Sequence, residues 1–247
     1  MPRIHSMLLT TVAATVFLLL PTSACGLVPT PTPQVVVQTV EVPVTKLVPV
    51  TVTPEPTITP TAAPPIVLAE QFEGDAGDWY VSSDSWGASS VAEGHLLVTV
   101  DEPNALYYSG HPDLDFLNQP FDLTVALANE SVPRDAYGAV SFRWTDENNN
   151  ADVSVNGDGF ISMGQWVDGT YYNTVPWTRP SGSGRGPYIL RMIDTGRRVT
   201  AYLNGELVFD IPFEDLKLGG VSFFVGAYDD VPATWSFDDV QVSKLAP

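Results

Sequence analysis

Val199-Thr200-Ala201-Tyr202-Leu203-Asn204-Gly205-Glu206-Leu207-Val208-Phe209-Asp210-Ile211 reads as a β-hairpin, and its reading decides the fold. Asn204-Gly205 is the pair that most readily supplies the two positive φ values of a type I′ turn. That turn sets Leu203 opposite Glu206, Tyr202 opposite Leu207 and Thr200 opposite Phe209, leaving one side largely apolar and the other carrying Glu206 and Asp210. Tyr188–Asp194 precedes the hairpin as a further strand, and Val221–Ala227 and Trp235–Val242 come after it. Within the last strand the apolar phase moves from odd (Trp235, Phe237) to even (Val240, Val242) across Asp238-Asp239, which predicts a β-bulge there.

Upstream, strands are expected over Val67–Phe72, His95–Asp101, Ala105–Ser109, Phe121–Asn129, Gly138–Trp144, Asp152–Asn156, Phe160–Val167 and Thr170–Thr174. The breaks are turn formers such as Glu93-Gly94, Gly157-Asp158-Gly159 and Asp168-Gly169. No segment sustains helical periodicity. Roughly twelve short strands in about 180 residues suit two stacked sheets better than a small barrel.

Four stretches carry a family resemblance: Phe72-Glu73-Gly74-Asp75, Tyr137-Gly138-Ala139-Val140-Ser141-Phe142-Arg143-Trp144, Val199–Gly205 and Phe237-Asp238-Asp239-Val240. Together they resemble the concanavalin A-like lectin/glucanase superfamily, and within it the laminin-G-type and keto-disaccharide-hydrolase-type domains of bacterial lipoproteins. The resemblance covers Ile66 to Leu245. It implies an all-β fold, an antiparallel jelly-roll β-sandwich of two curved sheets, that binds glycans on a concave face or a loop-lined edge.

The chain before this domain divides in two. Met1–Ala24 has Arg3 near its start and an apolar run from Leu8 to Leu20, too short to span a bilayer and suited to a secretory signal peptide. Thr22-Ser23-Ala24-Cys25-Gly26 resembles a bacterial lipobox, with Thr22 where Leu, Val or Ile is usual. Lipidated Cys25 would then hold the exported protein at the outer face of the cytoplasmic membrane or at the cell surface; the alternative is cleavage near Ala24 that leaves a free thiol. Residues 25–65 form an extended, disordered Pro/Thr/Val linker whose prolines remove ladder donors. At about 3.1 Å per residue it reaches roughly 120 Å. The globular domain is residues 66–247, and with a single cysteine in the chain it is held by its core rather than by disulfides.

Charge narrows the partners. The net charge is −18, and only Glu41 and Glu55 among the acids, with Arg3 and Lys46 among the bases, fall before Ile66. A surface this acidic repels nucleic acid. Alternation places Val140, Phe142 and Trp144 on one face of their strand and Ser141 and Arg143 on the other. Extended to neighbouring strands, it gathers Arg143, Asp152, Trp166 and Arg191 on one open face, with Tyr171, Tyr172 and Trp177 bordering it. An aromatic plate flanked by charged hydrogen-bonders is what a sugar ring and its hydroxyls need. Trp144, Trp235 and Phe237 read as core.

Catalysis lacks a motif. The superfamily's endoglucanases carry Glu-x-Asp-x-(x)-Glu on a strand, absent here, and the paired acids Glu73/Asp75, Asp146/Glu147, Glu214/Asp215 and Asp229/Asp230 all sit at turns. For Ca²⁺, Asp146, Asn148 and Asn150 begin an oxygen-ligand loop that fails as an EF-hand, because Ala151 replaces its Gly and Gly157 its Glu; Asp229 and Asp230 are the alternative. No cofactor is required. The sequence thus points to a surface lipoprotein whose domain binds carbohydrate or cell-envelope glycan without catalysis. A glycoside hydrolase and a protein-interaction sandwich are the alternatives.

Overall fold

The structure, a computed structural model, describes residues 64–115, 118–131 and 135–246; the signal segment, Cys25 and the linker up to residue 63 lie outside the described residues. Fourteen strands and one short helix occur among the described residues: β1 (Ile66–Glu70), β2 (Gly87–Ala92), β3 (His95–Val100), β4 (Ala105–Gly110), α1 (Pro112–Asp115), β5 (Phe121–Asn129), β6 (Tyr137–Asp146), β7 (Asn149–Asn156), β8 (Ile161–Val167), β9 (Thr170–Thr178), β10 (Tyr188–Asp194), β11 (Arg198–Leu203), β12 (Glu206–Pro212), β13 (Gly220–Ala227) and β14 (Ala233–Lys244). Of these, β2, whose Gly-Ala-Ser-Ser-Val-Ala offers little apolar alternation, is not legible in the sequence.

The strands form two antiparallel sheets. One runs β12-β11-β10-β5-β14-β3-β2, with β1 also paired to β14; the other runs β4-β13-β6-β7-β8-β9. Their inner faces share one core that includes Val98, Val125, Leu190, Trp235 and Phe237 from the first sheet and Val140, Val153, Met163, Phe223 and Val225 from the second. Phe223 stacks on Phe237 across the layers at 5.1 Å. A Cβ at Gly138 would drive into the indole of Trp235, so glycine there lets the largest core side chain seat.

Asn204 and Gly205 adopt φ of 52° and 81°, as the type I′ turn requires, and Leu203 faces Glu206. One pairing differs from expectation. A register shift after Tyr202↔Leu207 makes Val208 the extra residue, so Ala201 faces Phe209 and Thr200 faces Asp210. The shift turns Phe209 inward, where it is buried. The predicted bulge in β14 lies between Asp238 and Gln241, where the strand exchanges β3 for β1 as its neighbour on that side.

A further bulge overturns the alternation expected of β6. Ser222 pairs with Ser141 but Gly220 pairs with Trp144, so β6 carries one extra residue, and Arg143 takes a φ of 52°. Arg143 therefore points into the sandwich and Trp144 points out. Inside, the Arg143 guanidinium donates from Nε and Nη2 to the two oxygens of Asp194 on β10, at 2.8 and 2.7 Å, and from Nη1 to the Leu216 carbonyl at 2.6 Å. The two side chains are 1% and 0% exposed. The Phe213 ring lies 4.7 Å from the guanidinium carbon.

Removing one member of a buried pair strands the other, at a cost of about 3–5 kcal/mol. Urea unfolding should show that loss for Arg143→Met and for Asp194→Leu, whereas the double variant should lose far less than the sum of the two. Additive losses would mean that the pair is not coupled across the sheets.

Candidate functional site

Residues directly opposite on paired strands share a face. On the outer face of the six-stranded sheet these pairs join into one row: Gly110 on β4, Ser222 on β13, Ser141 on β6, Asp152 on β7, Gly164 on β8 and Asn173 on β9. The adjacent row begins Tyr108, Phe224, Ala139. On the opposite flank stand Trp144, delivered by the β6 bulge, and Trp166 facing Tyr171. The result is a lane with a floor of mostly small residues between aromatic walls, running across the strands.

The walls are mutually packed. Tyr108 meets Trp144 edge-on at 5.7 Å and Phe224 at 4.9 Å, while Tyr137 touches Phe224, Trp177 and Tyr228 at 6.1, 6.0 and 5.9 Å. Phe224 and Ala139 are buried yet stand apart from the inter-sheet core, so this outer face has an apolar layer of its own. Tyr171 folds across Gly164 and Tyr137 across Gly226, where a Cβ would collide with either ring. At the β4 end the lane opens into a cleft of about 620 Å³ lined by Tyr80, Tyr108, Asp115, Asn118, Trp144 and Ser222.

Asp152 is the one acid on the floor of the lane. Its carboxylate accepts from Ser154 Oγ at 2.8 Å and from the Gly164 N–H, which turns it toward β8. Burial pushes it up from 3.8 to about 6, against the lowering effect of those two hydrogen bonds. Burial and then the Asp152 charge push the phenols of Tyr108 and Tyr171 up to about 12, and the same two causes raise Tyr137. Beside Asp152, Ser141 Oγ is buried without a hydrogen-bond partner among the described residues. Arg143 is the one basic residue in the six strands of this sheet, and the bulge has turned it away.

Of the residues expected on one open face, Asp152, Trp166, Tyr171 and Trp177 come together on this sheet. Trp166, 37% exposed, stands 5.4 Å from Tyr171. Two do not join them. Arg143 is inside the sandwich, and Arg191 lies on the outer face of the other sheet in a two-point bond to Asp122 at 3.0 and 2.6 Å, because β10 pairs with β5 rather than with β6 or β8. Sequence reading missed Tyr108, Tyr137 and Trp144. The first two sit at alternating positions beside apolar residues, and the third is out of phase until the bulge is known.

The residues weighed as Ca²⁺ donors lie at two turns. Asp146 accepts from the Asn148 N–H and the Asn149 amide, and Asn150 donates to the carbonyls of residues 146 and 147, as a tight β6–β7 turn does. Asp229 and Asp230 are exposed in the bend before β14, and no group of three or more His, Cys, Asp or Glu side chains among the described residues is placed to hold a metal.

A larger cleft of about 760 Å³ lies on the eight-stranded sheet. Among the groups that line it, His95 lies 3.3 Å from Asp238, and Ser236 donates to Glu130 at 2.6 Å.

No protein-family model matches the sequence, and no curated protein matches it. Solved structures do. A Bacillus subtilis protein of unknown function with a galectin-like fold shares 13% identity at a TM-score of 0.55, over 73% of this chain and 96% of that one. The exoplasmic/lumenal domain of VIP36, in its Ca²⁺/Man3GlcNAc-bound form, shares 13% at 0.52, over 69% and 85%. A xylan β-1,4-xylosidase from Bacillus halodurans shares 12% at 0.53, over 71% of this chain and 39% of that one. The domain has the concanavalin A-like lectin/glucanase fold.

The raised Asp152 carboxyl bears on stability with a definite sign. Folded, it holds its proton to about pH 6, whereas its ordinary value is 3.8, so its contribution is most favourable below pH 4 and is lost as pH rises through 6. The shift corresponds to about 3 kcal/mol above that range. Asp152→Asn should therefore raise the thermal midpoint by several degrees at pH 7.5 and change it little at pH 4; calorimetry at the two pH values is the check.

Proposed function

We propose that this chain is an exported lipoprotein, anchored through Cys25, whose sandwich domain binds a glycan without cleaving it. The observation that carries the reading is the lane on the six-stranded sheet: aromatic side chains on both flanks, a floor of small residues, and polar groups placed between them. Sugar rings present apolar C–H faces to aromatic planes and hydroxyls to donors and acceptors, which is the combination this lane offers. The acidic surface argues against a phosphate-bearing polymer as the ligand.

The spacing of acids favours binding over hydrolysis. A hydrolytic pair stands about 5–9.5 Å apart across the bond. Besides Asp152, the acid lining this region is Asp115, whose carboxylate lies over Gly110 and accepts from the Tyr80 hydroxyl at 2.8 Å. Gly110 and Asp152 are three strands apart, about 14 Å, and Asp152 is turned away toward β8.

A glycan array probed with the protein should reveal a ligand, and calorimetry should then show Trp144→Ala and Trp166→Ala each weakening it tenfold or more with little change in thermal unfolding. Hydrolysis of that ligand would replace the reading by the glycosidase one. Sugar-blindness across the array would leave a protein-interaction surface. Separately, Cys25→Ser should shift the protein from the membrane fraction to the soluble fraction of its host, and unchanged membrane association would remove the anchor.

A further inference from the structure

The lane has a feature that a neutral sugar does not use. Asp152 is half-buried, and its partners are one hydroxyl and one backbone N–H. The six strands of its sheet contain Arg143 as their sole basic residue, and Arg143 is committed to Asp194 inside the sandwich. The Tyr171 ring crosses Gly164, whose N–H donates to the carboxylate, and the Asp152 charge adds to burial in raising the phenols of Tyr108, Tyr137 and Tyr171. Aromatic faces carry partial negative charge and attract cations. Ser141 Oγ, 1% exposed, adds a hydroxyl without a partner among the described residues, directly opposite Asp152 on the neighbouring strand.

A carboxylate withdrawn from water is ordinarily matched by a cation of the protein. Among the described residues none is supplied. The environment, a carboxylate among aromatic rings with a spare hydrogen-bonding hydroxyl, is complementary to an ammonium group. Resting on the glycan reading above, we infer that the lane selects a glycan bearing a free amino group, a de-N-acetylated amino sugar, with Asp152 as the counter-ion and the ring of Tyr171, which crosses the neighbouring Gly164, beside it. Tyr108 and Trp144 meet over the lane near the β4 cleft and Tyr171 crosses it at β8, so Asp152 lies in the stretch between these two crossings. An N-acetyl group at that place would replace the charge with an amide that leaves Asp152 unneutralised.

Binding also acquires a pH window. Asp152 in the free protein loses its proton near pH 6, so affinity for the amine should climb from pH 5 to pH 7. That trend is opposite to the one expected if the sugar's charge alone controlled binding.

The test is calorimetry on the full-length protein in detergent, at 150 mM salt, with three probes: a glucosamine trimer, its N-acetylated counterpart and a neutral glucan trimer. The expected result is at least a tenfold preference for the glucosamine trimer, lost in Asp152→Asn while thermal unfolding shows that variant folded. With a net charge of −18, this protein attracts any cation at long range, but removing one acid barely alters that background, so the loss isolates the site. A lysine trimer as a fourth probe separates sugar from amine: equal binding to it would overturn the amino-sugar assignment. Equal binding of all three sugars, or a preference that survives Asp152→Asn, overturns the inference and leaves the glycan reading standing. Sugar-blindness in both proteins overturns both.

Discussion

The Arg143–Asp194 pair is the constraint on which the rest of the domain turns. Two desolvated charges inside a sandwich are tolerated only where each is fully hydrogen-bonded, and here the carboxylate takes two guanidinium bonds and the Gly196 N–H, while the guanidinium also reaches the Leu216 carbonyl. To send Arg143 inward, β6 must accommodate an extra residue with positive φ. That residue reverses the alternation of the strand beyond it, so Trp144 lands outside. A contact that ties the two sheets together therefore also sets one wall of the lane on the far side of the sheet.

The outer faces of the two sheets divide their work by chemistry. On the eight-stranded sheet, Arg191–Asp122 and Arg198–Asp210 are exposed ion pairs, contributing little to stability each but satisfying the charges locally. The six-stranded sheet shows aromatic rings, serines and glycines instead, and among the described residues no cation is paired with Asp152. Burial raises Asp152, and the resulting cost to the folded state is the kind of local inconsistency that binding sites retain.

Glycine placement completes the lane. At Gly164 and Gly226 the neighbouring tyrosine rings lie flat against the backbone, which a side chain would forbid. Flat rings over small residues make a shallow floor without opening the sheet, and they bring the phenols toward Asp152. The arrangement is assembled from strands β4, β6 to β9 and β13, so no single stretch of sequence contains it.

Period-two alternation, Asn204-Gly205 and the phase change at Asp238-Asp239 determined the strands, the hairpin and one bulge, because those signals are local: each residue's side is fixed by its neighbours in the chain. The aromatic trio Trp166, Tyr171 and Trp177 was legible for the same reason, as was Asp152. Which sheet each strand joined was decided only by tertiary structure. Arg191 has the alternation of a site residue, but β10 pairs with β5, and strand pairing across long stretches of chain leaves no local mark. The exchange of Arg143 for Trp144 escaped for a related reason. A bulge is chosen by what waits on the other side of the core, here the Asp194 carboxylate, and a residue 51 positions away in the chain is invisible to any reading of β6 alone.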